Sequence, residues 1–188
     1  MISVSTAGAA NSLRVQVWRK LRSLGGLYLQ QSVCLLPDRP EVAREVRRLL
    51  DRVHHQDGTG QALHVELTDA AERAHLIAQA NAARDAEYAE VLERLPALRQ
   101  ELADERARGN ATYAEVEESE ADLERFRVWL TKIVARDYFA APGGGPARTA
   151  VEDAAAELAA FEEIALAVEA PDPGADRQLP RLRVVDQS

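Results

Sequence analysis

Two groups of arginine and lysine residues near the start of the chain are the side chains best suited to binding a charged partner. Each group lies on a segment whose apolar residues have helical spacing, and the candidates are Arg14, Arg19, Lys20, Arg22, Arg47 and Arg48. Guanidinium and ammonium groups bind phosphate oxygens, and on nucleic acid this binding releases counterions. Residues 1–55 hold nine arginines and lysines against four acids, a net charge of +5. We therefore predict a phosphate-binding surface on this segment.

The rest of the chain carries the opposite charge. Residues 56–188 are net −13, so the whole chain is net −8 at neutral pH. A basic segment joined to an acidic one is expected to meet a polyanion with its basic end only. Ordinary solvated helix faces are the alternative interpretation of the same cations, and the sequence leaves both interpretations open.

No other residues have the spacing of a catalytic or metal site. His54 and His55 are adjacent, so on a helix they would point about 100° apart and could not both reach one ion. Cys34 is the single cysteine and lies in an apolar run, where burial raises a thiol's pKa and makes it inert. The chain has no nucleophile elbow, P-loop or dinucleotide-binding glycine motif. We expect no catalytic residue, metal or cofactor, and no enzyme activity.

The basic residues belong to a segment, residues 1–68, in which short strands and helices alternate. Leu27–Leu36 reads as one long strand or a tight hairpin, and Asp57–Gly60 as a turn. Leu63, Val65 and Leu67 alternate with polar residues and predict the last strand. The order βαβ(β)αβ predicts a ferredoxin-like split βαβ head within an α+β protein.

Residues 69–169 are predicted to form an acidic helical body. Apolar residues at alternating spacings of three and four mark one seam from Tyr88 to Leu102 and another from Val116 to Ile133. The break at Gly109 makes these two helices a long antiparallel pair. Pro96 should kink the first helix or mark a boundary, and Pro142–Pro146 reads as a loop before a third helix. Residues 170–188 are predicted to be a linker and a basic tail.

The antiparallel register also predicts two ion pairs. If seam residues face each other at numbers that sum to about 218, the triplets Ala83–Asp85 and Ala135–Asp137 meet head to tail. Arg84 would then pair with Asp137, and Asp85 with Arg136. A polar pair within an apolar seam fixes register more than it adds stability. Unrelated surface arginines are the alternative.

Several blocks of the sequence resemble the N-terminal domain of the chromate-resistance regulator ChrB. The resemblance runs over about residues 1–169 and rests on Ser12–Gly25, Leu27–Pro37, Ala83–Tyr88, Arg108–Asn110, Glu117–Glu118, Trp129–Leu130 and Ala135–Phe139. The head alone is also similar to the middle domain of phenylacetate-responsive repressors and, more distantly, to small CRISPR-associated ferredoxin-like nucleases. Those nucleases hold a metal with an acid at the end of the first strand, and Ser5–Gly8 contains none.

The ChrB resemblance implies a bacterial transcriptional regulator linked to chromate resistance, which binds double-stranded DNA as a homodimer. No run of 18 uncharged apolar residues occurs, so we expect no membrane partner and a cytoplasmic location. The family's chromate-associated C-terminal domain has no counterpart in these 188 residues. Two alternatives stay open: a non-enzymatic protein-interaction or structural module that does not bind DNA, and a metal-dependent nuclease.

Overall fold

The computed structural model describes residues 1–5 and 11–169, and the predicted tail lies outside them. The first half contains four strands and two helices: β1 (Ile2–Ser5), α1 (Asn11–Ser23), β2 (Leu27–Gln30), β3 (Val33–Leu35), α2 (Pro40–His54) and β4 (Thr59–Ala62). The strands form one antiparallel sheet in the order β2-β3-β1-β4. This is the strand order of a split βαβ unit, so the predicted α+β head is confirmed.

The head has its own core, because both helices pack on one face of the sheet. Alternate residues of β1, Ile2 and Val4, are buried together with Cys34 from β3. Onto them pack the apolar faces of α1 and α2, whose buried members are Leu13, Val17, Leu21, Val42, Val46, Leu49 and Val53. The opposite sides of both helices are therefore left to solvent.

The position of the last strand corrects one prediction. β4 lies at Thr59–Ala62, upstream of the predicted strand, because Thr59 pairs with Ser5 and Gly60 with Val4. Just beyond β4, the Leu63 N–H donates to the Met1 carbonyl and the N-terminal ammonium of Met1 donates to the Leu63 carbonyl, both at 2.7 Å. Leu63 and Val65 are 45% and 42% exposed, so their alternation with polar residues does not mark a buried strand face.

Three helices form the body: α3 (Ala70–Arg108), α4 (Tyr113–Val134) and α5 (Gly144–Glu169). The side chain of Asp69 caps α3 and that of Thr112 caps α4, while Gly109 ends α3 in the left-handed conformation at φ 69°. Both predicted seams are buried in one core, apart from half-buried Phe126. The third helix packs against both others with Val151, Ala154, Leu158, Phe161 and Ala165.

Pro96 lies inside α3, so it marks no boundary there, and the predicted alternative, a kink, stays a prediction. Proline removes one helical hydrogen bond, at a cost of about 3 kcal/mol. Pro96 itself is exposed, but Leu95 and Leu98 on either side are 1% and 4% exposed in the core of the body. The burial of these neighbours offsets the loss, since each fully buried leucine contributes about 1.5–3 kcal/mol.

The segment Pro142–Pro146 was predicted to be a loop, but α5 already begins within it, at Gly144. Gly143 donates its N–H to the Asp85 carboxylate at 2.7 Å, which satisfies a free donor at the helix N-terminus. A Cβ at position 144 would lie 3.2 Å from the phenol ring of Tyr88, a residue that is 0% exposed. Glycine thus lets α5 approach α3 closely, and Pro146 is tolerated because first-turn N–H groups have no helical acceptor.

The two Ala-Arg-Asp triplets lie close together, but the predicted partners are wrong. Arg84 contacts Glu87 at 3.2 Å, and Arg136 contacts the same carboxylate at 2.8 Å. Asp137 instead accepts hydrogen bonds from the Tyr88 hydroxyl and the Ala141 N–H, both at 3.0 Å. Glu87, one turn from Arg84, and the N–H groups where α5 begins compete for these charges, and the register of facing seam residues includes neither.

We expect Gly144→Ala to destabilise the body, and Gly145→Ala to leave it unchanged or more stable. Overpacking against the buried Tyr88 ring costs about 1–3 kcal/mol, whereas a Cβ at position 145 has no atom within 4 Å. Alanine for glycine in a helix stabilises by up to about 1 kcal/mol. Urea unfolding followed by circular dichroism measures both, and equal midpoints for the two variants would contradict the packing of α5 on Tyr88.

Candidate nucleic-acid interface

The first candidate helix, α1, turns its cations outward because its apolar residues face the sheet. Leu13, Val17 and Leu21 are 0%, 6% and 2% exposed. Arg14, Arg19 and Arg22 are exposed, and Lys20 is half-buried. The predicted cations of this helix therefore lie on its solvent side.

An exposed tryptophan lies between two of these arginines. Arg14, Trp18 and Arg22 follow one another at intervals of four residues, so they form one stripe along α1. The Arg22 guanidinium lies 5.1 Å from the centre of the Trp18 ring, which is 45% exposed. A ring held in this way is a surface on which a base or a sugar can pack. Trp18 was not among the residues predicted from the sequence, although its spacing from the two arginines is visible there.

The second candidate helix, α2, is joined to the first by a shared carboxylate. Glu45 of α2 contacts Lys20 of α1 at 2.5 Å and Arg48 at 2.7 Å. The hydrogen bond and charge of Lys20, followed by the charge of Arg48, lower the pKa of Glu45. Glu45 is therefore ionised at neutral pH and partly neutralises two of the six predicted cations.

The other four predicted cations are not neutralised by a neighbouring carboxylate. Within residues 1–5 and 11–169, the structure shows no ion pair for Arg14, Arg19, Arg22 or Arg47. Because α1 and α2 pack on the same face of the sheet and contact each other, all six side chains belong to neighbouring helices on one side of the head.

An open groove of about 750 Å³ runs beside the arginine–tryptophan stripe. Its α1 wall includes Arg14 and Trp18, and its other wall is the β2–β3 hairpin, with Tyr28 and Leu29. The hairpin contributes Gln30, Gln31 and Ser32 as hydrogen-bonding groups. A charged, aromatic and amide-bearing groove has the chemistry that contacts sugar, phosphate and base edges.

Comparison with protein families identifies the chain. The family described as "Protein ChrB, N-terminal" matches residues 14–171, which is most of the chain. The chain belongs to the ChrB N-terminal family. Comparisons with curated proteins and with solved structures give no match.

The ChrB N-terminal match covers all six predicted cations and the whole helical body. It links the chain to chromate resistance, in agreement with the resemblance found in the sequence. It does not by itself assign a ligand to any residue. The basic face of the head therefore has to be judged from its geometry.

The remaining reactive side chains of the described part form no site. In residues 1–5 and 11–169, no group of three or more His, Cys, Asp or Glu side chains could hold a metal ion. His54 and His55 each contact a backbone carbonyl, at 3.0 and 2.6 Å. None of the helices in the described ranges is long and apolar enough to cross a membrane.

Cys34 lies in the core of the head and is 1% exposed. Burial raises the pKa of its thiol to about 12, so almost none is thiolate at neutral pH. We expect iodoacetamide at pH 7.5 to label the native protein at least about 100-fold more slowly than the protein in 6 M guanidinium chloride, because the thiolate is the reactive form. Mass spectrometry measures the labelling, and comparable rates in the two states would contradict the burial of Cys34.

Proposed function

We propose that this protein is a bacterial, non-enzymatic transcriptional regulator of chromate resistance that docks the α1–α2 face of its head on double-stranded DNA. The observation that carries the proposal is the stripe of Arg14, Trp18 and Arg22, which presents two guanidinium groups and an exposed ring along one helix. The family membership supplies the link to chromate resistance.

The chemistry of docking follows from the side chains. Arg14, Arg19, Arg22 and Arg47 are placed to contact phosphates without first breaking an ion pair, whereas Lys20 and Arg48 are held by Glu45. If all six cations contact phosphates, the logarithm of the binding constant falls with the logarithm of salt concentration at a slope of about −5. Arginine is suited to this role because its planar fork matches phosphate oxygens.

A homodimer completes the proposal, because paired heads would read two half-sites of an operator. Its support is an exposed apolar stripe near the end of α5, where Ile164 and Val168 are 36% and 64% exposed and one turn apart. A dimer formed in the cytoplasm would double the number of phosphate contacts. Light scattering coupled to gel filtration measures the mass of the assembly directly.

The second candidate is a protein-interaction module without DNA binding of its own. The net charge of −8 favours it, since a net negative protein is repelled by DNA unless its basic surface is segregated. The two candidates differ in whether the protein binds duplex DNA and whether loss of the basic side chains lowers that affinity, so one binding experiment separates them.

We expect the double variant Arg14→Glu, Arg19→Glu to lose most of its affinity for duplex DNA. Both side chains are exposed and outside the ion pairs, so the fold should be unaffected. The slope of affinity against salt should become shallower by about 2, because two phosphate contacts are lost. The matched control is Arg127→Glu, Lys132→Glu on α4, which changes the net charge equally and should bind almost as the parent does.

Fluorescence anisotropy with a labelled duplex at 50 and 200 mM salt measures both variants. The protein-interaction module would instead be supported by no binding of the parent protein at 50 mM salt. Equal losses in the two double variants would show that only net charge matters, which contradicts the proposed face.

Glu45→Gln should strengthen DNA binding at low salt by roughly two- to ten-fold, because it removes one negative charge beside Lys20 and Arg48. Glu41→Gln is the matched control, since it removes the same charge from the first turn of α2. The same anisotropy titration measures both variants. If the two increase affinity equally, Glu45 does not restrain the neighbouring cations.

A further inference from the structure

A second cavity, separate from the basic face, lies where the head meets the body. Its volume is about 330 Å³, roughly twice the ~150 Å³ of a cavity that holds benzene. The apolar part of its wall comes from three places: the head sheet with Leu27 and Leu35, α3 with Leu76 and Ile77, and the α4–α5 connection with Phe139. This is the mixture of mostly apolar and a few polar groups found in small-molecule sites.

Arg84 lies in the wall of this cavity and is not fully partnered. The residue is 8% exposed, and its Nη2 atom contacts Glu87 at 3.2 Å. Its Nε and Nη1 atoms are buried without a hydrogen-bond partner in the described residues. These two nitrogens carry three of the five N–H groups of the guanidinium. A buried donor without an acceptor is costly, so a ligand that supplied an acceptor would be favoured here.

The charges around Arg84 also favour an anion. Arg136 lines the same cavity, and the two guanidinium groups share the single carboxylate of Glu87. Asp137, the acid next in the wall, is already engaged by the Tyr88 hydroxyl and the Ala141 N–H. Burial is the main cause that lowers the pKa of Arg84; the charge of Glu87 opposes it, Arg136 lowers the pKa further, and Asp137 opposes this in turn. Counting the side chains of the wall itself, Arg73, Arg84 and Arg136 outnumber the two acids, Asp38 and Asp137, by one charge.

A third group defines what else the ligand should carry. Asn81 lies one turn before Arg84 on α3 and also lines the cavity. Its Oδ1 atom is buried and has no hydrogen-bond partner among the described residues. A carbonyl oxygen needs a donor, so a ligand hydroxyl or N–H near its anionic group would satisfy it.

We propose that this cavity binds a small organic carboxylate with an aliphatic body and a hydroxyl or N–H beside the carboxylate. The carboxylate accepts hydrogen bonds from Arg84, the neighbouring donor reaches Asn81, and the aliphatic body packs against the leucine and isoleucine wall. The site does not involve the cations of the α1–α2 face. None of those cations lines the cavity, so carboxylate binding can be tested in the absence of DNA.

The probe is 2-hydroxyhexanoate, titrated against the full chain with saturation-transfer NMR at neutral pH. Three molecules are compared with it: hexanoate lacks the hydroxyl, 1,2-hexanediol lacks the carboxylate, and sulfate keeps only the anionic charge. We expect 2-hydroxyhexanoate to bind about ten-fold or more tightly than 1,2-hexanediol and sulfate, because a hydrogen bond to a charged group is among the stronger ones. Hexanoate should bind with intermediate affinity.

Three variants test whether the ligand binds in the cavity. Ala80→Phe fills the cavity from its α3 wall and should abolish binding, whereas Ala78→Phe adds the same ring at an exposed position on the same helix and should retain it. Arg84→Met removes the guanidinium but leaves Glu87 paired with Arg136. It should lose carboxylate binding while its melting temperature without ligand stays equal to that of the parent or rises.

Five results would overturn the proposal or part of it. Sulfate bound as tightly as 2-hydroxyhexanoate would make this a bare anion site, and equal binding of 1,2-hexanediol would remove Arg84 from recognition. Undiminished binding by Ala80→Phe would place the ligand elsewhere. A lower melting temperature for Arg84→Met, with carboxylate binding intact, would make Arg84 purely structural. Equal binding of hexanoate would overturn the role given to Asn81.

Discussion

The carboxylate of Asp137 fixes the point at which the head, the long helix and the third helix meet. It accepts one hydrogen bond from the Tyr88 hydroxyl on α3 and another from the Ala141 N–H just before α5. The residues on either side extend the junction: Arg136 binds Glu87 of α3, and the Tyr138 hydroxyl donates to the carbonyl of Leu24 in the head at 3.0 Å. Three successive residues thus reach three different parts of the fold. The loss of Asp137 would leave a buried phenol and a buried N–H unpaired at once, and each is costly.

The lengths of the helices determine where this junction lies. α3 has 39 residues and α4 has 22, so at 1.5 Å per residue α3 extends about 25 Å further. The chain therefore returns at the level of Tyr88, and α5 begins beside the middle of α3. The first part of α3, before Arg84, has no partner from α4 and forms the wall of the junction cavity with the head. Arg84 lies where the bundle ends, and this explains how a guanidinium can be buried without a full set of partners.

Much of this architecture is predictable because it depends on periodic patterns. The two seams follow from the spacing of apolar residues, and the predicted break at Gly109 is where α3 ends. The failures have a common physical cause, which is that contacts distant in sequence overrode a local signal. Gly144 reads locally as a helix breaker, but close packing on Tyr88 requires it. The alternation at Leu63 and Val65 suggested a strand, yet pairing with β1 begins four residues earlier, at Thr59. The partners of Arg84 and Asp137 could not be chosen from register, since neighbouring groups competed for each charge.

Charge segregation connects the two proposed sites. A polyanion repels the acidic body and attracts the head, so in the proposed docking the head faces the DNA. At physiological salt these forces act over a Debye length of about 8 Å. Burial is the main cause of the lowered pKa of Arg84, and the charge of Arg22 on the basic face adds a smaller effect in the same direction. An anion bound at Arg84 would therefore reduce the positive potential at Arg22, where a phosphate is proposed to bind. Because coupling between two sites is reciprocal, two anionic ligands at these positions would weaken each other, and the sign of this effect follows from their charges alone.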